Sequence, residues 1–240
     1  MISLGVNIDH VATLRNARGE DHPYPFLTAK NVINYGANSI TIHLREDRRH
    51  INDNDLKIIS SIKKIPLNLE MAATTKMLNI ALKYKPNFVC IVPEKRKEIT
   101  TEGGLNLIKN KKNIKSIIKK LNNFNIRTSL FINPSVKDIK IAKEIGTKCV
   151  EIHTGKISNL IKKNKNFKKE FIKIKKASIY AESLKLEVHA GHGLDYKTTS
   201  ILTKIPQITE YNIGHFIIGE SLEFGLRDVI RKFKKILKNK

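Results

Sequence analysis

Eight short apolar runs recur along the chain, and each is followed by a stretch with helical spacing. This alternation constrains the fold more than any other feature. The runs are LGVNID (4–9), SITIH (39–43), LNLEM (67–71), FVCIV (88–92), TSLFI (128–132), CVEIH (149–153), LEVHA (186–190) and YNIGHFIIG (211–219). Helical patterns occupy 25–35, 53–62, 74–84, 104–123, 136–145, 157–183, 196–203 and 221–238. Strands separated by helices pair in parallel through crossover connections. Eight such units predict an α/β protein of the (β/α)8 TIM-barrel type with additional helices, because doubly wound sheets usually have fewer strands. The 240 residues suffice for this as one domain spanning 1–240. The interval between the sixth and seventh runs leaves room for an extra helix.

The residues that close each run carry the functional signal. The first ends in Asn7, Asp9 and His10, the second in His43 and Arg45, the third in Asn68 and Glu70, and the fourth in Pro93 and Glu94. Asn133 closes the fifth, Glu151 and His153 the sixth, His189 and His192 the seventh, and Asn212 and His215 the eighth. In a barrel these carboxyl ends converge on the face that holds the chemistry. Polar groups buried without partners cost stability. Satisfied core polar groups account for one or two such ends, and strain to account for all eight.

Composition narrows the classes. The formal net charge is +23, which by itself points to nucleic acid, a membrane surface or anionic substrates. The lysines, however, fall in segments such as 109–120, 161–176 and 231–240, interleaved with apolar residues. In and just before the last of these, Val229, Ile230, Phe233, Ile236 and Leu237 form one apolar helix face with lysines around the rest. Solvated helix faces explain the charge, so neither nucleic acid nor membrane is expected as a partner. The apolar runs are too short to cross a bilayer, and MISLGVNIDH lacks the pattern of an export signal; a cytoplasmic protein is expected. Cys90 and Cys149 lie inside apolar runs and read as buried reduced thiols.

Within LNLEM the period-two rule puts Asn68 and Glu70 opposite Leu67 and Leu69. In a barrel interior Glu70 would be partly desolvated, which suits a general base; a glutamate paired with an arginine is the structural alternative. The AGHGL turn (190–194) sets His192 between two glycines, and NIGH (212–215) repeats the Gly-His pair. Glycines let the backbone approach an anion, and the loops after strands seven and eight are the usual barrel site for phosphate. Arg15 and Arg18 follow the first strand. The stretch 94–104 reads as a lid carrying Thr100 and Thr101, or as a surface loop with a helix cap. His43, His153, His192 and His215 with Glu70 and Glu151 also form a possible metal set, but no HxH or HExxH pair occurs, and Arg18, Arg45, Arg48 and Arg49 favour phosphate or carboxylate over a cation.

Taken together, GVNIDHVATLRNARG, HLREDRRHI, NLEMAAT, VPEKRKEITTEGGL, EIHTG, AGHGL and NIGHFIIG closely resemble the pyridoxine 5'-phosphate synthase family, in matching order from residue 5 to about residue 219. The segment 154–185 matches poorly. The resemblance implies a homo-octameric, transferase-class ring-closing enzyme. Its substrates would be two phosphorylated small molecules, 3-amino-2-oxopropyl phosphate and 1-deoxy-D-xylulose 5-phosphate, with no metal or organic cofactor. It also implies catalytic acid/base groups at His43, Glu70 and His192, with Glu151 stabilising a cationic transition state. Contacts to the amino ketone phosphate fall on Asn7, Arg18, Gly193, Gly214 and His215, and contacts to the deoxyxylulose phosphate on Asp9, His10, Arg45, His50 and Thr100. His189 departs from the asparagine common in that family and is expected to be a spectator. The rival readings are a metal-dependent barrel lyase or epimerase acting on a sugar phosphate, and a basic nucleic-acid-binding protein.

Overall fold

A computed structural model describes residues 2–94 and 103–238. Eight parallel strands close into a barrel in sequence order: β1 (Ser3–Asn7), β2 (Ser39–His43), β3 (Leu67–Met71), β4 (Phe88–Ile91), β5 (Arg127–Ile132), β6 (Cys149–His153), β7 (Glu187–Gly191) and β8 (Ile208–Ile213). Eleven helices surround it among the described residues: α1 (Asp9–Arg18), α2 (Pro25–Asn34), α3 (Asp53–Ser61), α4 (Thr75–Tyr84), α5 (Leu107–Asn123), α6 (Val136–Ile145), α7 (Gly155–Lys162), α8 (Lys168–Ser183), α9 (Tyr196–Leu202), α10 (His215–Phe224) and α11 (Leu226–Lys238). None of them is long and apolar enough to cross a membrane. The expected TIM-type barrel with additional helices is therefore the fold.

Several boundaries differ from the sequence expectation; the helix expected over 221–238, for one, is broken at Gly225 between α10 and α11. The eighth run was expected to be strand through Gly219, but β8 stops at Ile213 and Gly214 caps α10 directly. From that point the apolar residues serve a helix face: Ile217 is buried, and Phe216 packs edge-on against Tyr196 and Phe233. The 157–183 segment is two helices, because Asn164 adopts a left-handed φ of 51° and the Asn166 side chain accepts from the Lys168 N–H at the start of α8. Helix α1 gave no clear period, since its buried face consists of Asp9, Val11, Ala12 and Arg15, two of which are charged.

Alternation along each strand sorts side chains into two environments. The outward residues, such as Leu4, Val6, Ile40, Ile42, Leu67, Leu69, Val150 and Ile152, are buried against the helices and form one large apolar core. The inward positions are mostly polar: Ser39, Thr41, His43, Asn68, Ser129, Glu151, His189, Glu210 and Asn212 are all buried. Barrel interiors are commonly filled by branched apolar residues. Here the inward apolar group is a small separate cluster of Cys90, Val92 and Phe131.

One ion pair fixes the front of the barrel. Arg15 on α1 donates to both carboxylate oxygens of Asp55 on α3, at 2.6 and 2.9 Å. It also reaches the His50 carbonyl at 3.3 Å. Asp55 completes a capping box with Asn52 at the start of α3. The loop 44–52 is thereby held between two helices.

Candidate active site

The carboxyl end of β2 holds the densest set of interacting groups. Asp9 Oδ1 accepts the His43 backbone N–H at 2.8 Å, and Asp9 Oδ2 accepts from Asn7 Nδ2 at 2.8 Å. This fixes the β1 and β2 ends against each other. The His43 ring lies between two carboxylates: Nε2 is 3.3 Å from Glu94 Oε2, and Nδ1 is 3.9 Å from Glu70 Oε2. Glu70 is opposite His43 in strand register and points inward as the alternation predicts. Burial pushes its carboxyl well above the usual range, and the charges of Glu151 and Asp9 push it further. Burial also acts to raise Glu94, but hydrogen bonds from His43 and the Glu46 N–H outweigh it and hold Glu94 below the usual range. One carboxyl is thus poised to carry a proton and the other to stay charged, with a histidine between them.

Deeper in the barrel, Glu151 is 3% exposed. Asn212 Nδ2 donates to its Oε2 at 2.8 Å, and the Cys90 thiol lies 3.9 Å from the same oxygen. Burial raises the Glu151 carboxyl to about 7, with the charge of His189 pulling against it and that of Glu210 adding to it. Gly191 makes the space for this side chain. A Cβ on that glycine would lie 2.0 Å from Glu151 Oε1.

The turn after β7 holds His192 at φ 79°, a left-handed conformation rare for a residue with a side chain, followed by Gly193 at φ 74°. The Thr154 hydroxyl lies 2.7 Å from the Gly191 carbonyl and 2.8 Å from that of His192, tying the turn to the end of β6. The His192 ring stacks obliquely on His153, with centroids 4.9 Å apart, and both face Phe131. Burial lowers the His192 pKa, helped by Lys162, and burial lowers that of His153 to about 4, helped by His192. Both rings are neutral at pH 7.

Two further groupings can receive anions. At β8, Gly214 packs against Asn7 so closely that a Cβ would fall 2.9 Å from Asn7 Cβ. The N-terminus of α10 opens beside it with His215 exposed, its ring 4.9 Å from that of His10. Helix N-termini offer free N–H groups to phosphate. On the 44–52 loop, Arg45 is buried and lies near Asp47, and the His50 Nδ1 accepts from the Ile51 N–H at 2.9 Å. Burial lowers the His50 pKa, so the neutral ring carries its hydrogen on Nε2. The remaining arginines of the cluster brace the loop: Arg48 forks onto Asp53 at 2.8 and 3.1 Å, and Arg49 pairs with Asp47 at 2.6 Å.

The expected site residues Asn7, Asp9, His10, His43, Arg45, His50, Glu70, Glu151, His192, Gly193, Gly214 and His215 lie on the carboxyl ends of their strands or the segments that directly follow. Arg18 does not join them by contact: its side chain is 76% exposed at the end of α1, near Glu20. Thr100 lies outside the described residues. Glu94 and Asn212 were visible at strand ends in the sequence but had no role there, and His153 figured only in the metal set that was set aside. Their contacts with His43, His192 and Glu151 come from strand register and were not readable from spacing.

Among the described residues, two sets of donors come within 4.8 Å of one another, Asp9–His43–Glu70 and Cys149–Glu187–His189. The first has both Asp9 oxygens engaged by protein donors. In the second, Glu187 is held by Arg127 and by His189 itself. Both sets are accounted for as protein–protein networks, and we assign neither as a metal site.

Residues 4–239 match the family model for the pyridoxal phosphate biosynthesis protein PdxJ. The chain belongs to this family. It is 67% identical over 236 residues to the pyridoxine 5'-phosphate synthase of Pelagibacter ubique, covering 98% of this chain and 99% of the relative. It is 48% identical to the enzymes of that name from Zymomonas mobilis (98% and 91% covered) and Bdellovibrio bacteriovorus (99% and 98%). Among solved structures, N-(5'-phosphoribosyl)anthranilate isomerase from Pyrococcus furiosus superposes with a TM-score of 0.63 at 10% identity, with both chains fully covered. The tryptophan synthase A-subunit of the same organism superposes with 0.62 at 11%, covering 99% and 97%. These two likenesses concern the barrel alone. The PdxJ family assignment accounts for the matching motifs, whose described strand-end residues lie on the carboxyl face.

Proposed function

We propose that the chain acts as a pyridoxine 5'-phosphate synthase of the transferase class. It would condense 3-amino-2-oxopropyl phosphate with 1-deoxy-D-xylulose 5-phosphate and release phosphate and water by general acid/base ring closure. The observation that carries this reading is His43 held between Glu70 and Glu94 at the barrel mouth of a family member 67% identical to a named synthase. Condensing an amine with a ketone and aromatising the ring require several proton transfers. Each positioned acid or base is typically worth about 10² to 10⁴ in rate.

The residues divide the work as follows. Glu70 and His43 pass protons during condensation and ring closure, while charged Glu94 orients His43. His192, neutral in the free enzyme, returns any proton it takes up readily, which suits protonation of a leaving oxygen. Glu151 ionises opposite cationic character in the substrate, in a cavity where its charge is poorly screened. The α10 N-terminus, with Asn7, Gly193, Gly214 and His215, cradles one phosphate; Arg18, which points to solvent beside Glu20, would have to swing in to join them. Asp9, His10, Arg45, His50 and Thr100 serve the other substrate. Assembly as a homo-octamer belongs to the same reading; Leu222 (75% exposed) and Phe224 (64%) on α10, with Leu14 on α1, form apolar surface that contact between copies would cover.

The purified protein mixed with the two phosphorylated substrates is expected to yield pyridoxine 5'-phosphate, detected by chromatography and mass. Failure to form it from active substrates would overturn the reading. Gly191→Ala supplies a geometric test. The added methyl must displace Glu151, and a misplacement on the order of 1 Å can cost about 10² in rate. A fall of that size in kcat with a folded barrel by circular dichroism is expected; an unchanged kcat would show that the position of Glu151 does not matter.

A further inference from the structure

Beside Glu151, toward the amino-terminal end of the barrel, lies a charged network, buried at His189 and Glu210 and partly exposed at Glu187 and Arg127, to which the reaction assigns no role. His189 is 2% exposed. Its Nε2 is 3.1 Å from Glu187 Oε1, and its Nδ1 is 3.4 Å from Glu210 Oε1. Arg127 on β5 donates to the other Glu187 oxygen at 2.6 Å. Two cations and two carboxylates therefore balance only when the imidazole is protonated. Both ring nitrogens lie near carboxylate oxygens, Nε2 at hydrogen-bond distance from Glu187 and Nδ1 at ion-pair distance from Glu210, an arrangement that favours a hydrogen on each.

This network meets the active site through strand register. His189 on β7 is the direct neighbour of Glu151 on β6 and of Glu210 on β8. The groups facing it are Glu187 on its own strand, Cys149 and Glu151 on β6, and Glu210 on β8, with Arg127 reaching it through Glu187. Glu151 in turn faces Cys90 on β4, Glu70 on β3 and Asn212 on β8. His189 is thus the one cation whose charge bears on Glu151 among the neighbours described.

We propose that His189 is a positioning residue, an imidazolium clamped between Glu187 and Glu210 that supplies the counter-charge against which Glu151 ionises. The inference rests on the reading of Glu151 as a site carboxylate. The balance of charge gives it a direction. Burial lowers the proton affinity of His189, but the Cys149 sulfur and the Glu210 and Glu187 carboxylates outweigh burial and raise it. The same imidazolium pulls the Glu151 carboxyl down against burial and Glu210. A cation within about 4–6 Å shifts a carboxylate by about one to three pH units.

The test follows the protonated-carboxyl stretching band of Glu151 by infrared difference spectroscopy across pH, assigned by its loss in Glu151→Gln. In His189→Gln its midpoint is expected to rise by at least about one pH unit, with the Glu151 limb of the kcat/KM profile moving the same way. In Glu210→Gln, which removes an anion while Glu187 and Cys149 still hold the imidazolium, the midpoint is expected to fall. A midpoint that stays in place, or rises in both variants as a loosened core would make it, overturns the proposal. Should the variants fail to fold, neutron diffraction of the unaltered protein decides the matter: deuterium on both His189 nitrogens supports it, and on only one overturns it. Full turnover by Glu151→Gln would sink the catalytic reading of Glu151, while the infrared midpoints would still report whether His189 sets its charge.

Discussion

Glu70→Gln is expected to lower kcat for pyridoxine 5'-phosphate formation by about 10² to 10⁴ while the protein keeps its fold. Glutamine matches glutamate in shape and can still meet His43 at the 3.9 Å separation, so substrate binding should be little affected. What disappears is the exchangeable proton. In the parent, burial and the neighbouring Glu151 and Asp9 charges raise the hold of Glu70 on that proton well above the ordinary carboxylate range. A loss in kcat with KM nearly unchanged is the signature of an interaction made only in the transition state. Steady-state kinetics of the variant check this, and near-parental kcat would remove Glu70 from the mechanism. Because the carboxyl is neutral when protonated, the variant should be no less stable than the parent near pH 7, and a thermal melt separates lost chemistry from lost structure.

The largest stability effect is expected for Asp55→Ala. Arg15 and Asp55 are both buried and joined by two hydrogen bonds. Removing the carboxylate leaves a guanidinium out of water with only the His50 carbonyl and Asn16 as partners. Breaking such a pair from one side costs about 3–5 kcal/mol, and the lost capping box adds about 1 kcal/mol. For a chain this size each kcal/mol lowers Tm by about 2–4 °C, so a fall of roughly 8–24 °C is expected by calorimetry. A fall under about 2 °C would show that the pair is dispensable. Asp53→Ala, which breaks only the half-exposed pair with Arg48, should cost less than about 1 kcal/mol. The Asp55 variant should also raise KM for the substrate gripped by the 44–52 loop, because Arg15 and Asn16 hold that loop through the carbonyls of Arg49 and His50.

The barrel and much of its mouth were legible because both depend on short-range pattern. LNLEM alternates, so Glu70 had to face away from Leu67 and Leu69, and the ends of eight strands had to meet wherever a barrel closed. Long-range geometry was hidden. Arg15 and Asp55 are 40 residues apart and meet only because the fold brings the last turn of α1 to the start of α3 across the 44–52 loop. Glu94 becomes the partner of His43 only when β4 is placed two strands from β2. The opening of α10 was masked because its apolar residues continue those of β8 without a polar break, and the chain turns there on Gly214 alone. His189 was expected to be a spectator because it departs from the family's usual asparagine and its strand face gave it no partner; Glu187 lies on its own strand, while Glu151 on β6 and Glu210 on β8 could not be placed beside it without the strand register.

The polar interior of the barrel has a consequence for how such a protein can change. Its principal apolar mass is a ring between strands and helices, and the axis is a column of serine, threonine, asparagine, glutamate and histidine. Alternate residues of one strand therefore answer to separate demands, one set holding the ring together and the other setting the electrical character of the column. An exchange such as histidine for asparagine at an inward position alters charge next to the reacting groups without opening a void in the ring. Divergence within the lineage can accordingly retune proton affinities along the axis with the architecture left intact, which makes inward positions well below the mouth the ones to compare when two relatives work best at different acidity.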